Sequence, residues 1–204
     1  MLSTLVLIDY QNIHLTAHDL WAPAGTPKHE TLVHPLYYAN QVVSARNQIC
    51  MPKPGQEGAR ELAQLDAVVV YRGLPSNKHA ASAYRRSQAQ RSEWTKDRRV
   101  SVIYRPLKYY WDNGVAYPQE KGVDVMVALH LVRAAREGDF DLVILASHDT
   151  DLEPAIDEAV ASRPGCVETT GWKTAKRLKS NPTVWHTYLD ATAFIRSRDR
   201  KDYT

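Results

Sequence analysis

Apolar residues in this chain fall in short unbroken runs rather than in strict alternation with polar ones. Thr4–Ile8, Asp66–Tyr71, Val100–Tyr104, Leu142–Ala146 and Cys166–Thr169 each read as a strand buried on both faces. Val184–Tyr188 is a sixth candidate strand. Between these runs the period lengthens. Pro35 suits a first helical position, and Leu36, Ala39, Val42, Val43 and Ile49 give the helix after it an apolar face. Ser76–Lys96 has helical composition. The stretch from Gly122 to Arg136 sets Val123, Val127, Leu131 and Ala134/Ala135 on one side and stops at Gly138. Thr150–Ser162 predicts a helix with Pro154 in its first turn, where a missing N–H matters least. Trp172–Lys179 predicts a short basic helix and Asp190–Arg198 a last one, before a charged, frayed tail. Residues 21–34, Met51–Gly58 and the aromatic-rich stretch Tyr109–Gly114 predict loops.

Strands of this kind, separated by helices, predict an α/β fold of three layers, with a mostly parallel sheet covered on both faces. In such sheets ligands bind beyond the carboxyl ends of the strands, where the strand order reverses. The residues that follow each strand are therefore the ones that carry chemistry.

Composition narrows this picture only in places. The 204 residues suit one domain, taken as 1–195, with a charged tail over 196–204. A chain of that length can bury a core without disulfides or a structural metal. Cys50 and Cys166 lie far apart without ligand-spaced neighbours, which argues against zinc and predicts a reducing, cytoplasmic setting. No apolar run approaches the roughly 20 residues that span a bilayer, so no membrane is expected. The net charge of +3 decides little, but its distribution is uneven. Residues 77–108 carry nine Lys or Arg against two acids, whereas 139–158 carry seven acids and no Lys or Arg. One segment could hold an anion and the other cations.

The strand ends concentrate the acids. Asp9 closes the first strand, Asp149 and Asp151 follow the fourth, and Asp124 lies in the first turn of the helix before it. Taken singly, each reads as a helix cap or a first-turn acid. Their coincidence at one predicted edge favours a site. Four carboxylates in a small volume need cations to stay ionised, and Mg2+ or Mn2+ suits an all-oxygen set. Such an ion can polarise a phosphoryl oxygen and lower the pKa of a bound water. The basic stretch with Lys78, Arg85 and Arg86, interleaved with Tyr84 and Trp94, would hold a phosphate backbone. Lys121 could approach the scissile phosphate, and Lys173, Lys176, Arg177 and Lys179 form a second basic patch. Glu120 and Glu153 are auxiliary acids of lower weight. His14 and His18 are spaced for one helix face but lack a third zinc ligand, so packing roles are expected. Trp111, with Tyr109 and Tyr110, reads as a tucked aromatic anchor. A glycine fingerprint after the first strand is missing, as is Asp-x-Asp there, which puts dinucleotide-binding and haloacid-dehalogenase sites well behind.

The runs Val6-Leu7-Ile8-Asp9-Tyr10-Gln11-Asn12, Lys121-Gly122-Val123-Asp124 and Ala146-Ser147-His148-Asp149-Thr150-Asp151-Leu152 resemble the motifs of the NYN domain, a branch of the PIN-like nucleases. The resemblance implies a PIN-like sheet of order 3-2-1-4-5 and a metal-dependent ribonuclease, acting on RNA in preference to DNA. It implies that Asp9, Asp124, Asp149 and Asp151 hold Mg2+ or Mn2+. Asn12 would orient substrate, water or the loop around Asp9, and Ser147 and Thr150 would support the site. A homodimer is an expectation of the same origin. His148 stands where the family has Gly, and Leu152 where it has Phe. The His148 ring is expected either to face solvent or to touch substrate. The rival reading is a PIN-like module that binds RNA or a protein and cuts nothing.

Overall fold

The structure, a computed structural model, describes residues 1–51 and 60–203. Six strands form one sheet in the order β3-β2-β1-β6-β7-β8, all paired in parallel. These are β1 (Leu2–Asp9), β2 (Ala63–Leu74), β3 (Val100–Pro106), β6 (Leu142–Ala146), β7 (Val167–Trp172) and β8 (His186–Leu189). In sheet-strand order this is 3-2-1-4-5 with the sixth strand at the edge, as the motifs imply. The helices are α1 (Tyr10–Trp21), α2 (Pro35–Cys50), α3 (Ala81–Trp94), α4 (Val123–Glu137), α5 (Glu153–Ser162) and α6 (Ala191–Ser197).

The pleat of β1 divides the core in two. Val6 and Ile8 face one layer, where Ile13 and Ala17 of α1, Tyr38 and Val42 of α2, and Phe194 of α6 pack. Leu5 and Leu7 face the other, against Val127 and Leu131 of α4 and Ile156 of α5. That explains the unbroken apolar run: a strand covered on both sides has no solvent face on which to place a polar residue. The connection from β1 to β2 runs over one face and the one from β6 to β7 over the other. The order therefore reverses between β1 and β6, and a crevice opens at their carboxyl ends.

Several expectations change. Tyr109–Gly114 is no loop. Residues Lys108–Asp112 (β4) and Val115–Gln119 (β5) form an antiparallel hairpin closed by Asn113-Gly114, both at positive φ. Asn-Gly supports that two-residue turn, whose twist matches the strands. Trp111 is not tucked in but 61% exposed. Trp172–Lys179 forms no helix: Trp172 ends β7 as a buried side chain, and residues 173–180 run as turn and irregular chain. Burial of Trp172, with its indole N–H donating to Ile13 O, outweighs the helical composition that follows. Ile49 is exposed, off the apolar face of α2. The tail does not fray up to Tyr203. Asp199 is buried and accepts from the Trp94 indole and the Tyr203 hydroxyl, both at 2.7 Å. The loop expected to Gly58 lies, beyond Met51, outside the described residues.

His14 and His18 pack as expected. Their rings bond Lys28 O and Thr31 Oγ1, holding the 21–34 segment to α1. Among the described residues no helix is long and apolar enough to cross a membrane.

One buried ion pair ties the helical layer to the sheet. Arg46 of α2 makes a two-pronged contact with Glu168 of β7, both bonds 2.9 Å, and donates to Glu61 O at 2.8 Å. Such a pair adds little net stability while intact, but removing one partner strands the other charge. Glu168→Gln is expected to cost about 3–5 kcal/mol, measured as a lower urea midpoint at an unchanged m-value. An unaltered midpoint would show that Arg46 finds solvent or another partner.

Candidate active site at the β1–β6 crevice

Asp9 ends β1 and stands at the head of α1, and its carboxylate is only 6% exposed. Ser147, the first residue after β6 and fully buried, donates its hydroxyl to Asp9 Oδ2 at 2.9 Å. The same hydroxyl oxygen accepts the Asp149 N–H at 3.1 Å. Ser147 thus couples the ends of the two central strands. Asn12, in the first turn of α1, accepts the His148 N–H on Oδ1 at 2.8 Å and fixes the same loop from the other side. Asp149 in turn accepts the Asp151 N–H at 3.0 Å, capping the short 3-10 helix of residues 150–152.

Asp124 arrives from a third direction. Gly122 precedes α4 at φ 74°, a left-handed conformation that side chains other than glycine resist. A Cβ there would also press on the Arg105 guanidinium, whose Nε donates to Lys121 O at 2.6 Å. That turn swings Asp124 toward the crevice. Asp9, Glu120, Lys121, Asp124 and Asp149 then line one open cleft of about 400 Å3.

Of the residues singled out in the sequence, Asp9, Asp124, Asp149 and Lys121 meet here. Asp151 and Thr150 do not line the cleft, and Asp151 is exposed. Lys78 and Arg85 are exposed outside it, and Arg86 lines a separate cleft with His29 and the C-terminal segment. Glu120 is the residue the sequence underweighted. Its carboxylate accepts the Gly73 N–H at 2.7 Å, near the carboxyl end of β2. Its one signal in sequence was adjacency to Lys121-Gly122. Glu153 instead accepts the Lys179 N–H.

His148 corrects the substrate-contact expectation. Its Nδ1 bonds Lys176 O at 2.8 Å, and its Nε2 accepts the Trp172 N–H at 3.1 Å. That pattern fixes a neutral ring protonated on Nδ1, and burial lowers its pKa further. Both nitrogens serve the backbone, so the ring pins the segment after β7 rather than standing free for a phosphate. Gly171 leaves the space. A Cβ there would lie 2.3 Å from His148 Cε1.

Electrostatics single out Asp9. Burial pushes its carboxyl up to about 7, and the nearby Glu120 and Asp149 add repulsion, while the Ser147 hydroxyl and the Asn12 backbone N–H pull the other way. Burial also raises Glu120, with Asp124 repelling it. Among the described residues no three acids are gathered closely enough to ligate one ion as placed. Mutual repulsion opposes a tighter cluster until a cation offsets it. The donors are all carboxylate oxygens, which fits a hard divalent ion. Asp9, Asp124 and Asp149 are the residues that could hold one, with Glu120 beside them.

The NYN domain family matches residues 3–190. No curated protein matches the chain. Among solved structures, the crystal structure of a protein of unknown function from Vibrio parahaemolyticus is similar, with a TM-score of 0.54 and 14% identity over 93% of this chain and 94% of that one. At that identity the likeness is one of fold.

Two outcomes test this geometry. The raised Asp9 pKa means the folded state keeps a proton that the unfolded chain releases between pH 4 and 7, so the group's penalty grows over that window. In metal-free buffer, Asp9→Asn is expected to gain stability over wild type as pH rises from about 4 to 7, reaching about 2–4 kcal/mol. A pH-independent difference in melting would contradict the burial. Gly171→Ala should cost about 1–3 kcal/mol by overpacking, and His148→Gly should restore most of it. A double variant no better than the single one would mean the two residues do not share that space.

Proposed function

The chain belongs to the NYN domain family, a PIN-like nuclease-type domain and a ribonuclease family, and on that premise we propose that it is a divalent-metal-dependent ribonuclease. The observation that carries the reading is the buried Asp9 carboxylate, gripped by Ser147, in one cleft with Glu120, Asp124 and Asp149. A carboxylate so desolvated and so close to other acids gains most from a bound cation.

Asp9, Asp124 and Asp149 would hold magnesium or manganese, which when bound polarises a phosphoryl oxygen and makes a coordinated water acidic enough to attack it. The chain's own residues do the rest. Ser147 keeps Asp9 and Asp149 in register through one hydroxyl. Asn12 positions the loop that carries Asp149, by way of the His148 N–H. Glu120 stands as the fourth acid, and Asp151 is left to cap-supporting and longer-range electrostatic work. Lys121, exposed on the rim, would meet a phosphate oxygen of the RNA. Lys78, Arg85 and Arg86 then act as outlying phosphate contacts rather than as part of the cleft. RNA is the substrate in preference to DNA. The buried free thiols Cys50 and Cys166 suit a reducing, cytoplasmic setting.

The test is cleavage of a labelled RNA with added Mn2+. Wild type should cut it, and Asp149→Asn should lose at least about a hundredfold in rate, a loss of 2.7 kcal/mol or more in transition-state stabilisation, while melting as a folded protein. Wild type that binds RNA but cuts neither RNA nor DNA would leave a non-catalytic RNA-binding module in place of the nuclease.

A further inference from the structure

The β4–β5 hairpin leaves the sheet where β3 ends and returns directly into the cleft. Gln119 ends β5, and the next two residues, Glu120 and Lys121, line the cleft with the aspartates. On one face of the hairpin Tyr110 and Tyr117 are cross-strand partners, their rings 5.4 Å apart and inclined by only 18°. They stay 55% and 41% exposed. Lys108, exposed and two residues before Tyr110, stands on the same face at its foot. The other face is anchored. His79 packs against Tyr109 and Trp111, and Tyr109 accepts the Ser76 N–H on its hydroxyl at 2.9 Å. The tyrosine pair therefore faces outward on a held support.

We propose that this hairpin is a stacking platform for the unpaired bases of a single-stranded RNA whose backbone enters the carboxylate cleft. It rests on the ribonuclease reading and names the form of substrate that the site takes. Near-parallel rings with free outer faces extend naturally into a stack of bases, and any base offers a π-face. Lys108 at the foot and Lys121 at the rim supply the positive charge that a phosphate backbone requires along the same path. The bases of a duplex are stacked on one another and cannot reach such a face, which makes the platform selective for unpaired strands. A protein partner fits less well. The exposed part of Tyr110, Tyr117 and Val115 comes to roughly 300 Å2, against about 800 Å2 per partner in a stable interface.

The experiment measures fluorescence anisotropy of a labelled oligouridine of about 12 nucleotides, with EDTA present so that the strand stays intact. A blunt RNA duplex of equal length serves as the second probe. Tyr110→Ala/Tyr117→Ala is expected to weaken single-strand binding between about fivefold and a hundredfold. Duplex affinity, melting temperature and the salt dependence should stay as in wild type, because stacking releases no counterions. Tyr110→Phe/Tyr117→Phe, which keeps the rings, should restore the affinity. Unchanged single-strand affinity in the alanine variant, or equal loss on the duplex, overturns the platform while leaving the nuclease reading intact. A change in sedimentation between wild type and variant, without a change in RNA affinity, assigns the surface to a second copy of the chain. Wild type that binds no single strand in EDTA also overturns the platform, and the nuclease reading is then decided by the Mn2+ cleavage assay alone.

Discussion

The hydroxyl of Ser147 is where the two halves of this molecule meet. It donates to the buried Asp9 carboxylate at the end of β1 and accepts the Asp149 N–H beyond β6. The sheet is wound outward from these two strands, and the layers change sides between them. Backbone pairing brings their ends side by side through the partnership of Ile8 with Ala146. The fold thereby imposes proximity on acids that would otherwise separate, and the strain falls mainly on Asp9, whose carboxyl burial pushes up to about 7. A parallel sheet with both faces covered is stable enough to carry that cost at one position.

Around this junction each supporting contact holds backbone rather than substrate. Asn12 fixes the His148 N–H, the His148 ring bridges Lys176 and Trp172, and Arg105 holds the carbonyl of Lys121. The result is a cleft whose walls come from separate segments, each locked by its own bond. Much of the basic stretch has local work. Arg99 pairs with Asp97 and Lys96 with Glu93. A count of positive charges along 77–108 therefore overstates how much of it is free for an anion. The charge that reaches the cleft is Lys121, and the aromatic surface beside it is the hairpin.

The strands were legible because burial on both faces leaves an unbroken apolar run, and α4 because its apolar positions repeat on one side and its ends are glycines at positive φ. The acids at Asp9, Asp124 and Asp149 were legible because each sits at or near the end of a recognisable element, the close of β1, the first turn of α4 and the stretch just after β6. The reading was wrong where two local tendencies compete. Tyr109–Gly114 carries turn residues and aromatics, and the pairing of Lys108–Asp112 with Val115–Gln119 makes it a hairpin. Residues 173–179 have helical composition, but Trp172 is drawn into the core and the segment is spent linking β7 to β8.

Sequence by itself determined the layer architecture and which carboxylates stand near strand ends, since these follow from periodicity and spacing along the chain, while the strand order came from the family resemblance of its motifs. Tertiary structure alone decided the membership of the cleft. It brought Glu120 in through the Gly73 amide and left Asp151 outside, and it turned His148 from the substrate to the backbone in the space left by Gly171. The reason is that such outcomes depend on contacts between residues far apart in the chain, 47 positions for Gly73 and Glu120 and 24 for His148 and Trp172. No local pattern encodes where those segments meet.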